Sequence, residues 1–131
     1  MKKDIDIPVA QNVYIVAVRE WDEKFTSRQW NVYLVNDRED TIEAVLVMSR
    51  GANIEQRTSV LRHGLGDMTS KTASKIEFIT EDVLGFTNEY LVTFFAEGKL
   101  FERTFTFEAF SISEKNTKPI SILDSEGVFG V

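Results

Sequence analysis

The chain has no cysteine and only one histidine, His63, in 131 residues. The first absence excludes disulfides, thiolate metal sites and a cysteine nucleophile. A single imidazole excludes two-histidine metal motifs and leaves one residue for imidazole chemistry. Proline is scarce as well: Pro8 and Pro119 each stand just before an expected strand, where a missing N–H is tolerated. Long apolar runs are missing, since stretches such as 45–48 fall far short of the ~18 residues that span a bilayer. Positive charge is in deficit, with a formal net charge of −6. That balance disfavours a general nucleic-acid binder, whose affinity rests on neutralising phosphates. Neither a membrane nor a nucleic-acid partner is expected.

The N-terminus, Met1-Lys2-Lys3-Asp4-Ile5-Asp6, opens with two lysines. Its acids then interrupt the place where a signal peptide would carry an apolar run of roughly 7–15 residues. Neither end bears a lipidation motif. With cysteine also absent, a cytoplasmic location is the expectation.

What is present suits a folded domain. Apolar residues make up 43% and charged residues 27% of the chain, an ordinary globular balance. Residues 1–131 are read as one domain, with an N-terminal segment at 1–10 and a C-terminal extension at 111–131. A chain of this size buries roughly two-thirds of its unfolded surface, enough for a core without staples.

Strand signals dominate. Residues 13–20 are β-branched and aromatic. Residues 30–35 put Trp30, Val32 and Leu34 on one face, with Asn31, Tyr33 and Val35 on the other. An Asn/Asp-rich turn at 36–40 leads to a return strand at 41–49 with Ile42, Ala44, Leu46 and Met48 in phase. Residues 57–63 form a half-polar edge strand, 64–70 a glycine-containing loop, and 73–80 a strand with Ile76 and Phe78 inward. One helical turn is expected at 81–86, its two leading acids suited to the positive end of a helix dipole. The clearest hairpin joins 90–96 to 100–110 through Glu97-Gly98-Lys99, with Phe101, Phe105 and Phe107 on one face. A polar linker at 111–118, a short strand at 120–123 and a turn at 124–127 finish the chain. Seven or eight short strands with frequent turns predict an antiparallel β-sandwich of immunoglobulin-like type, an all-β fold. A jelly roll and an open barrel are the alternatives.

Several segments resemble the immunoglobulin-like superfamily across residues 13–110. WNVYLVNDREDTIEAVLVMSRG is similar to the paired second and third strands of cytosolic sandwich domains. LGDMTSKTASKIEF resembles the loop leading into their middle strand, and EDVLGFTNEYLV the turn before their tyrosine-bearing strand. The chain departs from antibody-type domains in lacking both cysteines. As a whole it is also similar to small uncharacterised bacterial all-β proteins, some of which carry a phenylalanyl-tRNA synthetase label. That resemblance implies a bacterial source. A synthetase core needs a far larger chain with ATP-clamping arginines, so no activity or residue role transfers.

Catalytic patterns are sparse. Gly64-Leu65-Gly66 has G-x-G spacing, but Thr69 replaces the third glycine and the flanks read strand–strand rather than strand–helix. His63 lacks a G-x-S-x-G elbow and is read as a solvated or hydrogen-bonded surface residue at a strand end. Its functional alternative is anion binding beside neighbouring arginines. Asp37, Glu39 and Asp40 alternate like a calcium loop but lack its glycine and bidentate glutamate. Asp22 and Glu23 sit beside Trp21, with no second carboxylate fixed at the roughly 5–10 Å that a glycosidase needs. No cofactor, metal or catalytic residue is assigned, and the chain is not expected to be an enzyme.

Charge and aromatics carry more. Residues 50–75, with Arg50, Arg57, Arg62, Lys71 and Lys75 against Glu55 and Asp67, hold a net +3 inside an acidic chain. Cations on an edge strand discourage sheet-to-sheet pairing, and they also suit an acidic partner or the opposite end of a second copy. The segment 21–30 holds two tryptophans, Phe25 and Arg28, types enriched at binding hot spots. Trp30 is expected in the core. Trp21 and Phe25 are read either as caps of the sandwich end or as an exposed interface. The residues singled out for an interface or ligand are Trp21, Phe25, Arg28, Arg50, Arg57, Arg62 and His63. The leading expectation is a non-enzymatic protein-interaction sandwich that self-associates as a homodimer. A small-ligand or carbohydrate-binding module stacking on Trp21 or Tyr33 comes next, and a hydrolase third.

Overall fold

A computed structural model describes residues 6–131; the leader question posed by residues 1–5 lies outside the described residues. Among the described residues nine strands form two antiparallel sheets: β1 Val13–Trp21, β2 Arg28–Asn36, β3 Ile42–Ala52, β4 Leu61–Met68, β5 Thr72–Ile79, β6 Thr87–Ala96, β7 Lys99–Phe107, β8 Lys118–Ile120 and β9 Ser125–Phe129. One sheet runs β5-β2-β1-β9-β8 and the other β4-β3-β6-β7. These are two separate open sheets packed face to face, not a closed barrel. The strand number exceeds the seven or eight expected, and two 3-10 turns, Glu81–Val83 and Glu114–Asn116, replace the single helical turn.

The core fills the space between the sheets. Ile15 and Ala17 of β1 with Val32 and Leu34 of β2 face Tyr90, Val92 and Phe94 of β6 and Phe105 and Phe107 of β7. Trp30 joins this cluster, as its alternation predicts. The apolar run of β1 has a second cause. Its other face, Val16 and Val18, is covered by Ile120, Ile122, Leu123 and Phe129 of the C-terminal extension. A strand buried on both faces needs apolar residues at every position. The β6–β7 hairpin closes through Glu97 and Gly98, both at positive φ (53° and 71°), the geometry a tight two-residue connection requires. Phe94 is buried while its neighbour Phe95 is exposed, and Phe110 lies outside as well. The phenylalanine excess is therefore only partly core.

Two bulges overturn expected phases. In β3, Ala44 takes a φ of 50°, and the pairing with both β4 and β6 slips between Ile42 and Leu46. The Asp67 carboxylate holds this kink by accepting the Ala44 N–H at 3.0 Å. Beyond it Val45, Val47 and Ser49 point inward and are buried, while Leu46 and Met48 are only partly so. In β5 the register with β2 slips so that Val32 pairs with Glu77 but Tyr33 with Lys75. The extra residue, Ile76, is buried, and Glu77 shares the core-facing side with Val32. Phe78, expected inside, turns outward and is 53% exposed. An extra residue in one strand re-aims the side chains beyond it.

The expected strand at 57–63 also shifts. Residues 61–63 begin β4, which continues through 64–68, read as a loop from their glycines; of residues 57–60 only Arg57 pairs, in an isolated bridge to Ala52. The last short strands likewise move, to Lys118–Ile120 and Ser125–Phe129.

Sheet edges differ in how they are covered. The outer edge of β7 is hydrogen-bonded at both ends, Ala10 N–H to Glu102 O and Glu102 N–H to Pro8 O near one, Thr106 and Val131 reciprocally near the other. The edge strand β8 is three residues long and contains Pro119. Two long edges, β4 and β5, carry no further strand among the described residues. They lie on one side of the sandwich, joined by the short turn at 69–71.

Candidate functional site

The β4 and β5 edges diverge from their turn, one into each sheet. The gap opens into a cleft of about 440 Å³, lined by residues of β3, β4, β5 and β6, by Thr58 and Ser59 of the β3–β4 connection, and by Thr80 and Val83 beyond β5. On its floor stands Glu77. Its Oε1 accepts from Ser49 Oγ at 3.0 Å and lies 2.9 Å from His63 Nε2. Its Oε2 accepts the Tyr90 hydroxyl at 2.8 Å. As a carboxylate Glu77 only accepts, so the contact with His63 places a proton on Nε2 and leaves Nδ1 with the remaining lone pair or proton. Four strands each contribute one side chain, and both bulges are needed. Without the Ala44 kink Ser49 would face outward; without the slip at Ile76 so would Glu77.

Burial, and then the charge and hydrogen bond of Glu77, hold the Tyr90 phenol above its ordinary range, so it remains a donor. Its ring is fixed edge-on against Phe107, with centroids 5.9 Å apart. The cluster binds the two sheets across the core at the point where apolar packing gives way to the cleft. Ser49 donates to the carboxylate rather than to the imidazole. The hydroxyl–imidazole contact that activates a nucleophile is therefore not formed between these two groups.

The residues singled out from the sequence divide among three places. His63 and Arg50 line the cleft; His63 is hydrogen-bonded to Glu77 but lies within β4 and is half-buried rather than solvated at a strand end. Arg50 extends from β3 to Glu89 of β6, Nε to Oε1 at 2.9 Å. Arg57 and Arg62 are exposed beside the cleft, with no carboxylate within 4 Å among the described residues. Trp21, Phe25 and Arg28 form the tip of the β1–β2 hairpin. Asp22 shapes that tip by accepting from Thr26 N–H at 2.9 Å, Thr26 Oγ1 at 2.7 Å and Ser27 Oγ at 3.2 Å. These bonds, the Thr26 side chain's first, lower the Asp22 carboxyl below its ordinary value. Trp21 is 55% and Phe25 75% exposed, so neither is a buried cap. Arg28 lies 3.8 Å from Glu114 Oε1.

Other sequence candidates resolve into ion pairs. Asp37 and Glu39 both hold Lys71 Nζ, at 2.9 and 3.1 Å, while Asp40 pairs with Arg38 at 2.7 Å. No group of three or more metal-ligating side chains is assembled among the described residues. Tyr33, considered as a stacking platform, donates its hydroxyl to Glu20 at 2.7 Å and packs under the C-terminal extension. Burial first, then Glu20, pushes its phenol up to about 12.

Sequence reasoning missed Glu77, Ser49 and Tyr90. Strict alternation gave Glu77 and Ser49 to the outer faces, and Tyr90 reads only as the start of a hairpin arm. The one available signal was a carboxylate between Ile76 and Phe78 in a strand expected to be half-buried. No helix among the described residues is long and apolar enough to cross a membrane. Compared with known proteins, the chain matches no family model, no curated protein and no solved structure.

Proposed function

We propose that this domain is a non-enzymatic protein-binding module that meets its partner with one end of the sandwich. One observation carries the reading: exposed apolar side chains collect there. Trp21 and Phe25 lie at the β1–β2 tip, Ile54 and Val60 in the β3–β4 connection, and Leu61 and Phe78 at the cleft mouth. Single exposed apolar residues are ordinary, but several at one end of a sandwich mark an interaction surface. The aromatic tip supplies hot-spot residue types. Arg57 in the β3–β4 connection and Arg62 in β4 meet no carboxylate among the described residues, which favours an acidic partner surface.

The test compares capture of partners by the full chain, by a Trp21→Ser/Phe25→Ser variant and by Phe95→Ser, with light scattering of each purified protein. A stoichiometric partner, or a second copy, held by the first and third but lost from the second supports the reading. A monomer that captures nothing, or capture unaffected by the tip, overturns it.

A second reading, binding of a small polar molecule, is favoured by the Glu77 cluster on the cleft floor. Native mass spectrometry of the purified protein tests it. A bound small molecule lost in Glu77→Ala and retained in Phe25→Ser would place the function in the cleft instead.

A further inference from the structure

The sandwich is incomplete along one side. Among the described residues β7 is covered and β8 is short, while β4 and β5 are open. Beside the cleft β5 is interrupted by its bulge, whereas β4 pairs regularly with β3 from Leu61 to Gly64. Leu61 shares the inward phase of His63 and Leu65, yet it is 50% exposed, since no strand among the described residues covers the seam beside it. A Cβ built on Gly64 meets nothing within 4 Å, so the outer face of β4 is uncrowded there. A strand added here at the usual spacing of about 4.8 Å would send alternate side chains into the cleft. There they would meet Leu61, Ile79 and Val83.

Charge selects the occupant. Arg62 points outward from the free edge, Arg57 lies just before it, and Lys75 is exposed on the facing edge β5. A second copy pairing through either edge would bring cations opposite cations, which is destabilising. An incoming strand with apolar residues inward and carboxylates outward meets complementary groups on both faces.

We infer that an extended acidic segment of another protein pairs with the free edge of β4 over Leu61–Gly64, its apolar side chains entering the cleft above His63 and Glu77. The inference rests on the protein-binding reading above and names its recognition mode.

The test titrates the full chain with three short capped peptides: one alternating leucine and glutamate, its leucine–lysine counterpart, and the glutamate peptide N-methylated at alternate residues. Binding is read by anisotropy and by amide hydrogen exchange. The glutamate peptide should bind at least about tenfold tighter than the lysine peptide, a preference that Arg57→Glu/Arg62→Glu reverses. It should slow exchange at Leu61–Gly64, and N-methylation should abolish binding, because strand addition needs the peptide's own N–H groups. No binding of the glutamate peptide, equal binding of the N-methylated form, or protection only outside β4 would overturn the inference. So would a dimer of the chain itself with protected β4 amides. Strand addition fails alone, with the broader reading intact, if the Arg57→Glu/Arg62→Glu variant still captures a partner through Trp21 and Phe25.

Discussion

Tyr90 donates its phenolic hydrogen to Oε2 of Glu77 at 2.8 Å, joining β6 of one sheet to β5 of the other across the interior. Tyr90→Phe removes the donor but keeps the ring against Phe107, leaving one carboxylate oxygen short of a partner in a half-buried site. The expected cost is about 1–3 kcal/mol. Chemical denaturation of Tyr90→Phe, Glu77→Gln and the double variant measures it. The two losses should be non-additive, since the second variant removes a bond already broken. Additive losses would show that the contact contributes nothing of its own.

Register in β5 yields a sharper contrast. Regular alternation places Ile76 and Phe78 on one face, whereas the observed slip buries Ile76 and exposes Phe78. Ile76→Ala should therefore cost about 2–4 kcal/mol, while Phe78→Ser should change stability by less than about 1 kcal/mol. Similar losses from both, read from denaturation midpoints, would contradict the bulge.

These two residues also show where legibility ended. β1, β2, β6 and β7 were readable because their apolar residues follow period two, or fill both faces, with turns such as Glu97-Gly98 between them. The inward sets Trp30/Val32/Leu34 and Phe105/Phe107 needed nothing else. A bulge leaves no comparable mark: Ala44 and Ile76 are ordinary strand residues, and only pairing with a neighbour reveals the extra position. Ser49 and Glu77 face the interior because of those slips, so the cleft floor could not be read from alternation. Gly64 and Gly66 misled differently. They suggest a loop, but Gly64 sits in an open edge strand and Gly66 supplies a φ of 69° at the slip opposite Val45.

Arg38 should resist replacement by lysine. Its guanidinium bonds Asp40 at 2.7 and 3.0 Å and Glu97 at 3.0 Å, and it lies 5.7 and 5.2 Å from the Phe94 and Phe101 ring centres. An ammonium cannot reproduce that planar fork or its stacking, so Arg38→Lys is expected to lose about 1–2 kcal/mol.

The same pair sets a pH dependence. Arg38's hydrogen bond holds the Asp40 carboxyl below its ordinary 3.8. A depressed carboxyl stabilises the fold above that ordinary value, and the contribution is lost as pH falls through the lowered one. Asp40 is partly solvated, so Asp40→Asn should cost only about 0.5–1 kcal/mol at neutral pH. That gap should shrink below pH 3.8. A gap independent of pH would mean the charge is not its source.

The C-terminal extension depends on one glycine. A Cβ at Gly127 would stand 2.7 Å from the Ala17 carbonyl oxygen and 2.7 Å from Ile120 Cδ1. The first neighbour is backbone of the central strand and cannot move cheaply. Gly127→Ala should cost about 1–3 kcal/mol through overpacking and expose the outer faces of Val16 and Val18. Faster amide exchange in β8 and β9 than in β6 and β7 would locate the damage; uniform exchange would not fit.

The two tryptophans should report separately on fold and interface. Trp30 is buried in the core, with the Arg19 guanidinium 5.9 Å from its ring, whereas Trp21 stands at the hairpin tip. Trp21→Phe should leave blue-shifted emission that resists an aqueous quencher, and Trp30→Phe red-shifted emission that is readily quenched. Binding through the proposed end should then shield Trp21 alone. In the Trp30→Phe protein, a saturating partner should lower quenching and shift emission to the blue, while in Trp21→Phe the spectrum should not move. Shielding confined to Trp30 would point to closure of the core rather than contact at the tip, and would move the binding surface away from Trp21 and Phe25.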